Sequence, residues 1–206
     1  MPIVTISAAY GALGSEVGPR LAERLGVPFL DRAIPAQVAR RLAMPLEEAA
    51  ARDESIGGLL SRMAMALAPM GQAFGATTSA QDAVDEEQFR RTTEAIIREH
   101  AAAGDLVVLG RAGALVLRDD PRALHVRLDG PRERRIEIAM RRTELDRAEV
   151  ERQMAETDRA REAYVRHFYR ADARDPRLYH LTIDSTALPV DTVVDLIALA
   201  AESRTR

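Results

Sequence analysis

IVTISAAYGALGSEVG, residues 3–18, joins a β-branched apolar run, Ile3 to Ile6, to a glycine-bearing turn and then to the start of an apolar spacing at Val17, Leu21 and Leu25. The short run predicts a strand and the four-residue spacing predicts a helix, so the stretch is a strand, loop and helix unit. Gly11, Gly14 and Ser15 fall between the two elements. Consecutive N–H groups there, with the positive end of the helix dipole, can cradle a phosphate. The same glycines also suit an ordinary turn. A phosphate loop of the usual kind ends in Gly-Lys-Ser/Thr, the Lys reaching the outer phosphates and the hydroxyl holding magnesium. Here Gly14, Ser15 and Glu16 stand at the end of the loop, and that motif is not met.

Working outward, Gly26 ends the first helix and Val27 to Leu30 reads as a second strand, closing at Asp31. Residues 33–43 read as helical, and Pro45 with Glu47 and Glu48 reads as the first turn of another helix. Residues 56–80 are rich in Met, Ala and Gly with weak periodicity, which suits helix packing, a dimerisation surface or, around GATTSAQDA, a flexible connection. A helix is predicted over Asp82 to Ala103 and a fully covered parallel strand over Leu106 to Leu109, followed at once by GRAG. Ala123 to Leu128 is a further strand, and Pro131 sits near the start of the helix after it. Asp146 and Glu149 have the spacing of a capping box for a helix running toward Tyr169. His180 to Ile183 and Val190 to Ala200 give the last strand and helix. This alternation predicts an α/β fold with a mostly parallel sheet and right-handed crossovers, its ligands bound beyond the carboxyl ends of the strands. Gly11, Asp31 and Arg111 each follow a strand.

Composition narrows the chemistry. The 206 residues contain no cysteine, which excludes disulfides, thiolate metal sites and a cysteine nucleophile together. They contain no lysine either, so all 29 cationic residues are arginine and any phosphate must be held by guanidinium and backbone N–H groups. A net charge of -3 gives no bulk attraction to nucleic acid or anionic membranes. With no apolar run near the roughly 20 residues of a membrane span and no secretory pattern at the start, a cytoplasmic protein is expected. The four histidines lie on different elements without metal-ligand spacing and read as structural or surface groups.

Arg111, directly after a buried strand, can grip a phosphate with a fixed fork, or pair structurally with a carboxylate such as Asp31. Asp31 suits a sugar or base contact, or a helix cap. In ETDRAREAYVRHFYR, residues 156–170, Arg159, Arg166 and Arg170 share one helix face with Asp158 and Arg161 beside them. Such a run is either a solvated face or a mobile flap that carries arginines onto phosphates.

In order along the chain, IVTISAAYGALGSEVG, LAERLGVPFLDR, VVLGRAGALVLRDDPRALHVRLDGPRERR, ETDRARE and TIDSTALPVDTVVDLI resemble the cytidylate kinase-like family, a divergent branch of the nucleoside monophosphate kinases. The resemblance implies a three-layer P-loop kinase core with a five-stranded parallel sheet, over about 1–44 and 104–206. It also implies a helical NMP-binding insertion over about 45–103 and a helical lid over about 146–175. It implies transfer of the ATP γ-phosphoryl group to a nucleoside monophosphate, CMP or dCMP, with Mg2+. Carried over residue by residue, Gly11, Ala12, Gly14, Ser15 and Glu16 form the phosphate loop, and Asp31 and Arg111 lie on the acceptor side. Asp158, Arg159 and Arg161 lie in the lid, with Arg111, Arg159 and Arg161 balancing the charge of the transferring group. No protein residue is assigned to the metal.

Two departures qualify this. Well-studied members carry Lys at the position of Gly14 and Thr at that of Glu16. The divergent branch reads like Ser-Arg-Glu-Tyr-Gly-Ser-Gly-Gly-Arg-Glu, with arginines where this chain has Ala8 and Ser15. The alternative is therefore a catalytically degenerate nucleotide-binding or regulatory protein that keeps the fold.

Overall fold

The computed structural model describes residues 2–31, 80–110 and 112–204. The helices expected over 33–43 and after Pro45, the Met-rich stretch as far as residue 79, and Arg111 lie outside the described residues. Five strands form one parallel sheet: β1 (Ile3–Ala8), β2 (Phe29–Leu30), β3 (Leu106–Leu109), β4 (Ala123–Asp129) and β5 (Leu181–Asp184), in the order β2-β3-β1-β4-β5. Helices α1 (Gly14–Leu25), α2 (Ala80–Ala103), α3 (Gly113–Val116), α4 (Arg132–Thr143), α5 (Arg147–Tyr169) and α6 (Val190–Ser203) accompany them. All five strands expected from the sequence are present, β2 shorter by its first two residues.

The alternation of side chains across each strand divides the core in two. Val4, Ile6, Leu124, Val126 and Leu128 face α1 and α6, where Val17, Leu21, Val193 and Ile197 meet them. Ile3, Leu106, Val108 and Ala123 face the other way, against Phe89, Ile96 and Ile97 of α2. With both faces covered, the central strands bury almost entirely apolar side chains, as a parallel sheet requires. The polar exception is a buried cross-strand pair, Thr5 Oγ1 with His125 Nδ1 at 2.8 Å. His180 stacks on His125 at 5.0 Å and accepts the His125 backbone N–H. Burial holds the His125 imidazole down at about 4, so it is neutral at pH 7. Among the described residues no helix is long and apolar enough to cross a membrane.

Strand order places β1 centrally, between β3 and β4, so the loop leaving β1 opens above the middle of the sheet. A smaller apolar cluster, Ile136, Ala139, Val150 and Met154, joins α4 to α5 and takes in the ring of Tyr10 from that loop. The helical pair is thereby anchored to the loop by packing as well as by polar contacts.

Candidate active site

A cleft of about 1100 Å³ lies over the carboxyl ends of the strands. Its floor is the loop from Ala8 to Ser15; Asp31, Phe89, Thr93 and Gly110 form one wall, and residues of α4, α5 and β4 form the other.

The loop is built from backbone. Ala9 N–H donates to Leu128 O at 3.0 Å, and Ala12 N–H to Ala9 O at 3.1 Å, fixing a tight bend after β1. Gly11 sits at φ 75°, a conformation that favours glycine, and an added Cβ would lie 2.4 Å from the backbone oxygen of Arg135. Leu13 caps α1 in the left-handed region at φ 63°. Beneath the loop, the fully buried Ser185 donates its hydroxyl to Ala12 O at 2.8 Å, so the Asp-Ser-Thr turn after β5 is a support for the loop. Among the described residues no acceptor meets the N–H groups of Gly11, Leu13, Gly14 and Ser15. The first turn of a helix leaves its donors without intrahelical partners, and here they line a cleft, which is the arrangement that holds a phosphate.

Gly14 is closely packed at the end of the loop. A Cβ on Gly14 would lie 2.5 Å from the Ala8 methyl and 3.2 Å from Leu109 Cδ1. Glu16 forms an ion pair with Arg142, at the far end of α4, whose side chain borders the cleft.

Helix α5 reaches the loop from above. Asp158 Oδ1 accepts the Tyr10 N–H at 2.8 Å, and Asp158 Oδ2 accepts from Arg135 at 2.7 Å. Arg135 also donates to Tyr10 O at 3.1 Å. Arg161 donates to Ala8 O at 2.7 Å, and Tyr10 Oη donates to Gln153 at 3.0 Å. Burial, with the Glu149 charge nearby, raises the Tyr10 pKa, so its O–H remains a donor. Lower in the cleft, Arg127 grips Asp129 at 2.6 Å and the backbone oxygen of Ala173 at 2.9 Å, with the Tyr179 ring 5.8 Å away.

The opposite wall is tied to the end of α5. Tyr169 donates to Glu94 at 2.7 Å, and Arg90 pairs with Glu94 while lying over the Phe168 and Tyr169 rings. Hydrogen bonds from Arg90, and next from Arg91, hold the Glu87 carboxyl down at about 2.

The structure brings Gly11, Gly14, Ser15, Asp31, Asp158 and Arg161 to the cleft wall. Ala12 is buried behind it, holding the loop through Ser185. Arg159, Arg166 and Arg170, read as one face from the sequence, do not line it; Arg159 borders a separate hollow of about 300 Å³ beside Arg132 and Arg174. Arg111 itself lies outside the described residues, but Gly110 and Ala112 on either side of it line the cleft. Sequence reasoning did not single out Arg127, Asp129 or Arg135, and Ser185 entered only as part of the Asp-Ser-Thr of the last strand. Strand alternation at the carboxyl end of β4 carries the signal for Arg127 and Asp129. Arg135 has none, since Arg132 and Arg134 share its helical turn.

Known proteins resemble the chain at three levels. Among curated proteins, the uronate isomerase of Corynebacterium glutamicum is 31% identical over 115 residues, 56% of this chain and 22% of that protein. The chain thus spans about a fifth of that relative's length. Among solved structures, an uncharacterized protein from Eubacterium ventriosum superposes with a TM-score of 0.69 at 19% identity, covering 98% of this chain and 99% of that one. A shikimate kinase from Bacteroides thetaiotaomicron gives 0.53 at 14% identity, with 98% of each chain covered, a likeness of fold. The sequence profile of the cytidylate kinase-like family matches residues 3–187, from the first strand through the turn on which the phosphate loop rests, and the chain belongs to that family.

Proposed function

We propose that the protein is an ATP-dependent nucleoside monophosphate kinase acting on CMP or dCMP. The observation that carries this reading is the row of unaccepted loop N–H groups facing a cleft over which α5 places Arg161. Family membership supports a nucleotide kinase, and the choice of cytidylate extends that membership.

Phosphoryl transfer asks the protein for positioning and charge stabilisation and needs no protein nucleophile. An oxygen of the acceptor phosphate forms the new bond to the γ-phosphorus, and the bond from that phosphorus to the β–γ bridging oxygen breaks. The leaving electron pair stays on the β-phosphate, where the N–H groups of Gly11, Leu13, Gly14 and Ser15 stabilise the charge. Asp31 and Arg111 are assigned to the acceptor side and Arg161 to the transferring group. Asp158 holds the loop, and Arg159 approaches the nucleotide only if α5 moves. The loop fits phosphates. Magnesium would supply charge neutralisation at the phosphates and would be held mainly by phosphate oxygens; Asp31 and Asp129 are two of the carboxylates that line the cleft, beside Glu156, Asp158 and Glu162.

A second reading is a nucleotide-binding regulator without turnover. The filled space at Gly14 and the pairing of Glu16 with Arg142 favour it. Chromatographic detection of CDP from CMP, ATP and magnesium, with dCMP, UMP and AMP as alternative acceptors, separates the two. Cytidine diphosphate formed faster than the other products supports the kinase. Calorimetric binding of ATP without any product supports the regulator.

A further inference from the structure

We propose that the hydroxyl of Thr93 binds the acceptor nucleotide, hydrogen-bonding the polar edge of its base. This deepens the kinase reading and rests on it.

The Thr93 hydroxyl is an exception on its helix. The residue is 3% exposed, and among the described residues its Oγ1 is buried without a hydrogen-bond partner. The polar side chains around it are engaged. Thr92 Oγ1 donates to Gln88 O at 2.8 Å, and Arg90 pairs with Glu87 and Glu94. Glu94 also accepts from Arg98 at 3.1 Å and from Tyr169 at 2.7 Å. A threonine inside a helix ordinarily satisfies its hydroxyl as Thr92 does, by bonding back to the carbonyl four residues earlier. Thr93 makes no such bond to Phe89 O. Its neighbours one turn away on α2, Phe89, Ile96 and Ile97, are buried and apolar and offer no alternative.

The place of Thr93 in the fold indicates the missing partner. It lines the cleft on the wall that it shares with Asp31, Phe89 and Gly110, the side assigned to the acceptor. Among the described residues, the arginines that line the cleft come from β4, α4, α5 and the segment after α5. A neutral hydroxyl beside the Phe89 ring suits the uncharged part of the acceptor. Because a hydroxyl rotates, it can accept from an exocyclic amino group or donate to a carbonyl oxygen. Thr93 therefore contributes equally to cytosine and uracil, and the choice between them rests on other residues.

A buried hydroxyl that has lost water without gaining a partner destabilises the free chain, and a valine of the same shape removes that penalty. A role in the ligand site and a role in the fold then predict opposite changes in stability.

The test uses the full chain, with affinities and melting temperature read by calorimetry and acceptor KM by chromatography of the products. Thr93→Val should weaken CMP and UMP alike by about fivefold, the net contribution of one neutral hydrogen bond, with KM rising to match. ATP affinity should be unchanged, and the melting temperature should rise by about 2–4 °C. Thr93→Ser, which keeps the hydroxyl, should bind CMP as the wild type does. A Thr93→Val protein with wild-type CMP affinity and KM overturns the proposal while leaving the kinase reading intact. Weaker CMP binding with a lowered melting temperature gives the hydroxyl to the fold and overturns it too. A loss for CMP with none for dCMP moves the contact to the ribose and overturns the assignment to the base. A wild-type protein that binds neither ATP nor CMP removes the kinase reading and this inference with it.

Discussion

The two faces of α5 carry the same residue types to opposite effect. On the outer face, Arg152 pairs with Glu149 at 2.6 Å and Glu156 at 2.9 Å, Arg152 being 56% exposed. These i,i+3 and i,i+4 pairs stand in water, where screening and side-chain entropy cancel most of the attraction. On the inner face, Asp158 is 19% exposed and, with its partner Arg135 of α4 at 13%, spends hydrogen bonds on the main chain of the phosphate loop. A charged residue on this helix matters according to the backbone it meets, and the number of its ion pairs says little.

The largest expected effect is at Asp158. Asp158→Ala leaves the Tyr10 N–H without its acceptor and takes from Arg135 its carboxylate at 2.7 Å, and it should cost about 3 kcal/mol, the lower end for breaking a sheltered ion pair. Phosphoryl transfer should fall by more than about 100-fold. Denaturant titration and CDP formation on the same sample measure both, and a wild-type response in either breaks the contrast between the faces.

A loss of stability that leaves the loop alone sharpens the contrast. The pKa of His125 is lowered on folding to about 4, so between roughly pH 6.5 and 4 the unfolded chain binds more protons than the native one. Stability should be fully present above pH 6.5 and fall on acidification, by about 3 kcal/mol at pH 4 from this group. His125→Asn should flatten that slope in pH-dependent denaturation, with ATP affinity at pH 7.5 unchanged. An altered affinity would mean that the loop responds to any loosening of the sheet.

Gly11→Ala sets a side chain against the Arg135 backbone and holds a positive φ, the latter costing about 1–2 kcal/mol. It should abolish detectable ATP binding with only a modest drop in melting temperature. The smallest effect belongs to the outer face, where Arg152→Ala should leave both melting temperature and kcat/KM unaltered.

Much of this was legible beforehand. All five strands were marked beforehand, most clearly by the continuous apolar run Leu106 to Leu109, which is covered on both faces, and Asp146 caps α5 by accepting the Glu149 N–H at 2.9 Å, as its spacing implied. Gly11 was legible as a loop glycine, and its contact with Arg135 was not, since it joins residues more than a hundred positions apart. The phase of α5 was also hidden. Charges surround most of that helix, leaving only the sparse apolar line of Val150, Met154, Ala160 and Val165 to orient it, and Arg159 and Arg161 border different hollows. The Asp-Ser-Thr turn was recognisable as a motif, but its support of Ala12 emerges only once β5 is placed beside β4.

The central claim is that the inner face of α5 and the phosphate loop make one site. The most direct measurement is kcat/KM for CDP formation by Arg161→Ala and Arg152→Ala, assayed side by side with the wild-type chain. The account predicts about a 100-fold loss in the first and none in the second. Equal responses from the two variants would contradict it.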